Sequence, residues 1–139
     1  MHIYFDLDGT LVDDTGQKLR PGIRSLLRRL AGEGHRLSLW TASTEERGQR
    51  YLAQHGLAGF FELRVFRDDY DPEGVGHPKD IRHGDGDVLV DDDPTNTEFV
   101  ESIGKVGVLV GTFHIGAIRR WRSDSDEIYS KINASKEAT

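Results

Sequence analysis

A short apolar run near the start of the chain ends in two carboxylates that are one residue apart. The segment is YFDLDGT, residues 4–10. Side chains alternate between the two faces of a strand, so Asp6 and Asp8 are predicted to point to the same side while Leu7 turns into the packing. Like charges held this close repel each other, and either a divalent metal or a shared proton has to compensate. Because the donors are hard oxygens, the pattern favours magnesium.

A second apolar run, residues 37–40, ends in Thr41. The next residues, Ser43 to Glu46, have the pattern of a capping box that opens a helix. Thr41 is therefore predicted to lie at the carboxyl end of a strand, facing the amino terminus of a helix. A hydroxyl and backbone N–H groups converge at such a place, which suits a phosphate oxygen. Taken alone, Thr41 would be an ordinary strand-end residue.

A third apolar run, residues 88–90, leads directly into three carboxylates, which are Asp91, Asp92 and Asp93. This crowding is costly unless a cation lies nearby. Asp93 precedes Pro94, a pairing typical of a helix start, and is predicted to cap a helix. Lys79, in a polar stretch with Gly and Pro, can neutralise part of the carboxylate charge. Without these neighbours it would be a solvated loop lysine.

Strands and helices alternate along the chain. Apolar runs predict strands at residues 3–7, 37–41, 63–66, 88–90 and 106–110, and helical spacing predicts helices at residues 23–33, 44–55 and 95–103. This alternation predicts an α/β fold, a single Rossmann-like domain with a parallel sheet flanked by helices. Ligands of such sheets bind at the carboxyl ends of the strands, which predicts one site containing Asp6, Asp8, Thr41, Lys79, Asp91 and Asp92.

The chain has 139 residues, which is the size of one domain. We predict a core domain at residues 1–122, followed at residues 123–139 by a polar tail or a frayed helix. The basic segment Arg119–Arg122 can contact a phosphate-rich partner or form a solvated helix end.

Composition narrows the class of protein. There is no cysteine, so a disulfide framework and a thiolate metal site are excluded. No apolar run has the length of a membrane span and no basic-then-apolar leader precedes Asp6, so we expect a cytoplasmic protein without a membrane partner. The net charge of −6 argues against broad nucleic-acid binding and leaves a nucleic acid possible only as a substrate end.

The Asp-Leu-Asp-Gly-Thr segment resembles the DxDGT signature of the haloacid dehalogenase superfamily of phosphotransferases, and residues 3–111 follow that family's pattern. The resemblance implies that Asp6 is the phosphoryl-accepting nucleophile and Asp8 the general acid/base. It implies that Thr41, Ala42 and Lys79 bind the phosphate. The Trp-Thr-Ala-Ser sequence around Thr41 is similar to that of family members that remove phosphate from Ser and Thr in protein tails.

The Asp91–Asp92 pair resembles the family's metal motif. The resemblance implies Mg²⁺ held by Asp6, by the backbone carbonyl of Asp8 and by Asp92, while Asp91 orients Lys79 or binds through water.

Many family members that act on metabolites have a cap domain between these motifs. Neither interval here has room for one, so we expect an open site without a cap domain that favours a phosphorylated macromolecule, either a phosphoprotein or a nucleic-acid end, over a small molecule. Two alternatives remain open: a small-metabolite or nucleotide phosphatase covered by a neighbouring subunit, and a receiver-like phosphoacceptor domain. The sequence leaves the oligomeric state undetermined.

Overall fold

The computed structural model describes residues 1–116 and 124–137. Within these residues, five parallel strands form one sheet in the order β3-β2-β1-β4-β5. They are β1 (His2–Phe5), β2 (Arg36–Trp40), β3 (Arg64–Val65), β4 (Val88–Asp91) and β5 (Val106–Leu109). The predicted α/β architecture is confirmed, and the strand ends lie within two residues of the predicted ones, the usual uncertainty of such boundaries.

Helices connect the strands. In chain order they are α1 (Ile23–Gly32), α2 (Glu45–Gln54), α3 (Arg67–Tyr70), α4 (Pro94–Ser102) and α5 (Asp124–Glu137), with short 3₁₀ turns at Ala58–Phe60 and Ile81–Gly84. The three predicted helices are α1, α2 and α4. The sequence did not predict α3 or the 3₁₀ turns, because three or four residues are too few to show a helical period.

Helix α1 shows how the sequence produces its packing. Ile23, Leu26, Leu27 and Leu30 repeat at helical spacing, and all four are buried. Each buried aliphatic side chain of this kind contributes about 1.5–3 kcal/mol relative to an exposed one.

The two faces of the sheet pack against different side chains. Ile3 and Phe5 of β1 belong to the larger core cluster, which also includes side chains of α1, α2 and α5. Tyr4, which lies between them, belongs to a smaller cluster with Trp40 and Leu89. This is the alternation expected of a strand covered on both sides.

Residues 124–137, which the sequence assigns to a polar tail or a frayed helix, form the helix α5. Ile128 and Ile132 lie one turn apart on this helix and are buried in the larger core cluster. The segment Arg119–Arg122 lies outside the described residues, and the division of the chain at residue 122 stays a prediction. Among the residues that the structure describes, no helix is both long and apolar enough to cross a bilayer.

The strand order determines where a ligand can bind. From β1 the chain moves outward to β2 and β3, then returns to β4 on the other side of β1. The connections therefore diverge between β1 and β4, and this leaves a crevice at the carboxyl ends of these strands.

Candidate active site

A cavity of about 480 Å³ lies at this crevice. The residues lining it include all of those predicted from the sequence, namely Asp6, Asp8, Thr41, Ala42, Lys79, Asp91 and Asp92. The structure thus brings the predicted residues together, and their individual chemical roles stay predictions. A larger depression of about 770 Å³ lies against Tyr4, Trp40 and Tyr70 and contains none of these residues. Size alone does not identify the chemical site here, because the carboxylate cluster and Lys79 line the smaller cavity.

Lys79 lies between two carboxylates at the bottom of the cavity. Its Nζ is 2.7 Å from Asp6 Oδ1 and 2.8 Å from Asp91 Oδ2, and all three side chains are buried. Burial acts against the charged form of a lysine, but the charges of Asp6 and Asp91 outweigh it and raise the pKa of Lys79. The ammonium group therefore stays protonated and holds both carboxylates in place.

One lysine does not balance the carboxylates of this cluster. Burial raises the pKa of Asp6 well above its usual range, even though Lys79 acts in the opposite direction, and the charge of Asp91 adds to the increase. Burial also raises the pKa of Asp91. Asp92 is a third carboxylate in the same place. The cluster is therefore short of positive charge, and either a proton or a cation has to supply it.

The geometry of the cluster fits a hard divalent cation. Asp6, Asp91 and Asp92 each offer a carboxylate oxygen, and these oxygens lie within 4.8 Å of one another. Oxygen donors at this spacing suit Mg²⁺ or a similar ion. The side chain of Asp8 is not part of this group, so the prediction that Asp8 contributes a metal ligand rests on its backbone carbonyl.

The Gly-Thr turn after the two aspartates supports the same cluster. Gly9 has a φ of +81°, and a Cβ at this position would collide with the Asp92 carboxylate, so no larger residue fits. The Thr10 hydroxyl donates to Asp6 Oδ2 at 3.0 Å and lies 3.4 Å from Asp92 Oδ1. From the other side, the Thr112 hydroxyl donates to Asp92 Oδ2 at 2.8 Å.

Arg20 supports this turn from within the protein. It is fully buried, and its Nε donates to the Thr10 carbonyl at 2.7 Å while Nη2 donates to the Gly9 carbonyl at 3.0 Å. Nη2 also donates to the carbonyl of Gly111, next to Thr112. The guanidinium thus joins the two loops whose hydroxyls contact the carboxylate cluster.

Asp8 has different surroundings from Asp6. Its side chain is 26% exposed, and Arg47 Nη2 lies 3.0 Å from Asp8 Oδ1. The Ser43 hydroxyl donates to Asp8 Oδ2. The predicted capping box that begins at Ser43 is wrong, because Thr44 is the N-cap of α2 and accepts from the Arg47 N–H. Ser43 is thereby free to hold Asp8.

Thr41 follows β2 directly, as predicted, and its hydroxyl accepts from the Ser43 N–H at 3.0 Å. Its side chain is buried at the edge of the cavity, close to the start of α2. Asp93 caps α4 by accepting from the Thr95 N–H, which confirms that prediction.

Sequence reasoning missed four residues that contact the aspartates, which are Thr10, Ser43, Arg47 and Thr112. Thr10 ends the Asp-Leu-Asp-Gly-Thr segment after β1, and Thr112 follows the end of β5. The rule that strand ends form the site could therefore have indicated both. Arg47 and Ser43 reach Asp8 only because two distant segments meet, and the sequence contains no local signal for that contact.

No protein-family profile matches the chain, and no curated protein matches it in sequence. Solved structures do match. A HAD-superfamily hydrolase from Ehrlichia chaffeensis is 13% identical, with a TM-score of 0.66 over 95% of this chain and 97% of that chain. The fission yeast RNA polymerase II CTD phosphatase Fcp1 is 14% identical, with a TM-score of 0.63 over 98% of this chain and 50% of that chain. A chain of the Pnkp1/Rnl/Hen1 complex is 17% identical, with a TM-score of 0.58 over 82% of this chain and 47% of that chain. At these identities the likeness is one of fold.

Proposed function

We propose that this chain, which has the fold of the haloacid dehalogenase superfamily of hydrolases, is a Mg²⁺-dependent phosphomonoesterase that forms an aspartyl phosphate on Asp6. The observation that supports this most is the contrast between Asp6 and Asp8 within one cavity. Asp6 is buried against Lys79, whereas Asp8 is partly exposed and contacts Arg47. Carboxylates in such different surroundings can divide the roles of nucleophile and acid/base between them.

In the first step a carboxylate oxygen of Asp6 attacks phosphorus while the bond to the leaving oxygen breaks. Thr10 and Lys79 hold the Asp6 carboxylate by hydrogen bonds and fix its direction of attack. Asp6, Asp92 and the backbone carbonyl of Asp8 would hold Mg²⁺, whose positive charge would favour the ionised form of Asp6 and neutralise phosphoryl oxygens.

Asp8 transfers a proton in both steps. It donates a proton to the leaving oxygen, then accepts one from the water that attacks the aspartyl phosphate and releases inorganic phosphate. After the first step Asp8 is a carboxylate, which is the form that accepts the proton of the attacking water, and Ser43 and Arg47 hold it at the cavity. Thr41, Lys79 and the backbone at Ala42 stabilise the phosphoryl oxygens as charge develops on them.

An open site supports a macromolecular substrate. Between Asp8 and Thr41 the chain forms a turn, α1 and β2, and between Thr41 and Lys79 it forms α2, β3, α3 and short connections. Neither interval contains a cap, so a small metabolite would have few remote contacts to raise its reactivity. The likeness to Fcp1 and to a chain of the Pnkp1/Rnl/Hen1 complex gives weak support for a phosphoprotein or a nucleic-acid end.

A substrate panel tests this proposal. We expect kcat/KM for a phosphorylated peptide or a 3′-phosphorylated oligonucleotide to exceed that for sugar and nucleotide monophosphates by at least about tenfold, which is about 1.4 kcal/mol of transition-state binding. Para-nitrophenyl phosphate serves as the reference, because its good leaving group allows turnover with few contacts between the protein and the leaving group.

Light scattering coupled to size-exclusion chromatography provides the control, because a neighbouring subunit could cover the site. An oligomer with a clear preference for one small metabolite would contradict the open-site proposal. Absence of turnover on the whole panel, with Mg²⁺ present, would contradict phosphatase activity itself.

The metal assignment makes a separate prediction. Asp91 is already engaged, because Oδ2 accepts from Lys79 and Asn96 and Oδ1 accepts from the Asp93 N–H. Asp92 accepts hydrogen bonds from the hydroxyls of Thr10 and Thr112. We therefore expect Asp92→Ala to raise the Mg²⁺ concentration for half-maximal rate by more than about tenfold, a larger shift than Asp91→Ala produces.

Rate measurements over a Mg²⁺ titration, together with calorimetric titration of the metal alone, decide between the two aspartates. A larger affinity defect in Asp91→Ala would exchange their assigned roles.

A further inference from the structure

Two arginines also line the cavity. Arg47 lies in the first turn of α2, and Arg67 begins α3. The starts of these helices are tied together, since the Arg67 N–H donates to the Ser43 carbonyl at 2.9 Å and the Glu45 N–H donates to Asp68 Oδ1 at 3.0 Å. The two arginines therefore line the cavity from adjoining helix starts.

These arginines retain unused hydrogen-bond donors. Among the described residues, Arg47 makes one ion pair, with Asp8 through Nη2, and its Nε has no hydrogen-bond partner. Arg67 is exposed and makes no side-chain ion pair with the residues that the structure describes. Lys79, in contrast, is buried and already contacts both Asp6 and Asp91 at the reacting end of the cavity. The cavity thus has one cation for the reacting phosphate and two further cations beside it.

We propose that Arg47 and Arg67 form a second anion subsite, and that the preferred substrate is a phosphorylated peptide with a carboxylate side chain next to the phosphorylated residue. This inference rests on the proposed phosphatase function and names its substrate class. A guanidinium presents a planar set of donors that matches a carboxylate in two parallel hydrogen bonds. The phosphate of the substrate would bind beside Asp6, and its carboxylate would bind beside Arg47 and Arg67 in the same cavity.

A nucleic-acid strand fits this surface less well than a single carboxylate. Asp14 and Asp93 also line the cavity, and the chain has a net charge of −6. Polyanionic strands are held by many phosphate contacts with Lys and Arg. Two arginines can match one added charge, but the surrounding aspartates would repel the next phosphates of a strand.

Arg47 also holds Asp8, so its loss would affect the acid/base as well as the subsite. Among the described residues, Arg67 makes no hydrogen bond or ion pair with Asp8, and it is therefore the more informative position to change. Arg28 is a matched control, because it is an exposed arginine on α1 and does not line the cavity. Arg28→Ala removes the same charge from the protein as Arg67→Ala does.

The test uses two phosphoserine peptides that are identical except for Glu or Gln beside the phosphoserine. We expect wild-type kcat/KM to favour the Glu peptide by about tenfold, the size of one charge-assisted hydrogen bond. In Arg67→Ala this preference should fall to about threefold or less, mainly through a higher KM for the Glu peptide, and added salt should reduce the wild-type preference. Arg28→Ala should keep the wild-type preference.

Equal rates on the two peptides with wild-type enzyme would overturn the subsite, as would an equal loss of preference in Arg28→Ala and Arg67→Ala. A 3′-phosphorylated oligonucleotide that is turned over better than both peptides would overturn the choice of a carboxylate ligand. Failure of wild-type enzyme on all three substrates and on para-nitrophenyl phosphate would instead contradict the phosphatase function.

Discussion

Asp6→Asn is expected to lower the turnover of para-nitrophenyl phosphate by at least about 10⁴-fold, because an amide cannot form the aspartyl phosphate. The fold should survive the change. Lys79 keeps its contact with Asp91 at 2.8 Å, and an asparagine side chain fills nearly the same volume as the aspartate. Replacing the carboxylate also removes one of the like charges that crowd the buried cluster. Steady-state rates would measure the loss of turnover, and circular dichroism and thermal melting would show whether the fold is kept.

Asp14→Asn is a matched control for Asp6→Asn. Asp14 lines the same cavity, but its carboxylate pairs with His114 at 3.0 Å and lies outside the carboxylate cluster. The same chemical change there should leave activity close to that of the wild type. A folded Asp6→Asn protein that retains a tenth or more of the activity would remove Asp6 from the nucleophile role.

The parts of the site that the sequence could predict are those determined by strand ends. Asp6, Thr41 and Asp91 each follow or end an apolar run, and the parallel arrangement of the strands places their carboxyl ends side by side. The local sequence pattern therefore predicted both the strand and the position of the reactive group at its carboxyl end. The same reasoning located Lys79 only through its acidic neighbours in the chain, and the contact at 2.7 Å with Asp6 depends on the loop before the 3₁₀ turn.

Residues that act through tertiary contacts could not be predicted in this way. Arg20 belongs to a polar loop in the sequence, where an arginine is expected to be exposed. It is buried instead because three backbone carbonyls from two loops converge on its guanidinium. Such a position depends on segments about ninety residues apart, as the Arg20 contact with Gly111 shows, and no periodicity within either segment encodes it.

Helix α5 shows the same limit at the level of packing. Its composition is polar, and only Ile128 and Ile132 mark an apolar face. Two isoleucines one turn apart give a weak periodic signal, and the burial of both depends on the surface that α1 and the sheet present to them. The polar composition therefore predicts the exposed faces of this helix correctly, but it does not predict the narrow face that packs against the larger core cluster.

The second large effect is expected for Asp8→Asn. With a substrate that has a good leaving group, the first step needs little protonation, so Asp6 should still be phosphorylated. Hydrolysis of the intermediate needs a base, and we expect that step to slow by about 10²–10⁴-fold. Phosphoenzyme should then accumulate. Asparagine can still accept the hydroxyl of Ser43, so the loop around α2 should keep its position, although the ion pair with Arg47 is lost.

Rapid quenching after mixing with a labelled aryl phosphate would detect the accumulated species as an acid-stable protein phosphate that hydroxylamine removes. The double variant Asp6→Asn/Asp8→Asn is the matched control and should give no labelled protein, because the acceptor carboxylate is gone.

Arg47→Gln separates the loss of the ion pair from the loss of the base. It removes the charge that contacts Asp8 but leaves the Asp8 carboxylate. If Asp8 is the base, Arg47→Gln should accumulate far less phosphoenzyme than Asp8→Asn. Equal accumulation in the two variants would mean that the Asp8–Arg47 pair acts by positioning, and no accumulation in Asp8→Asn would assign the second proton transfer to another group.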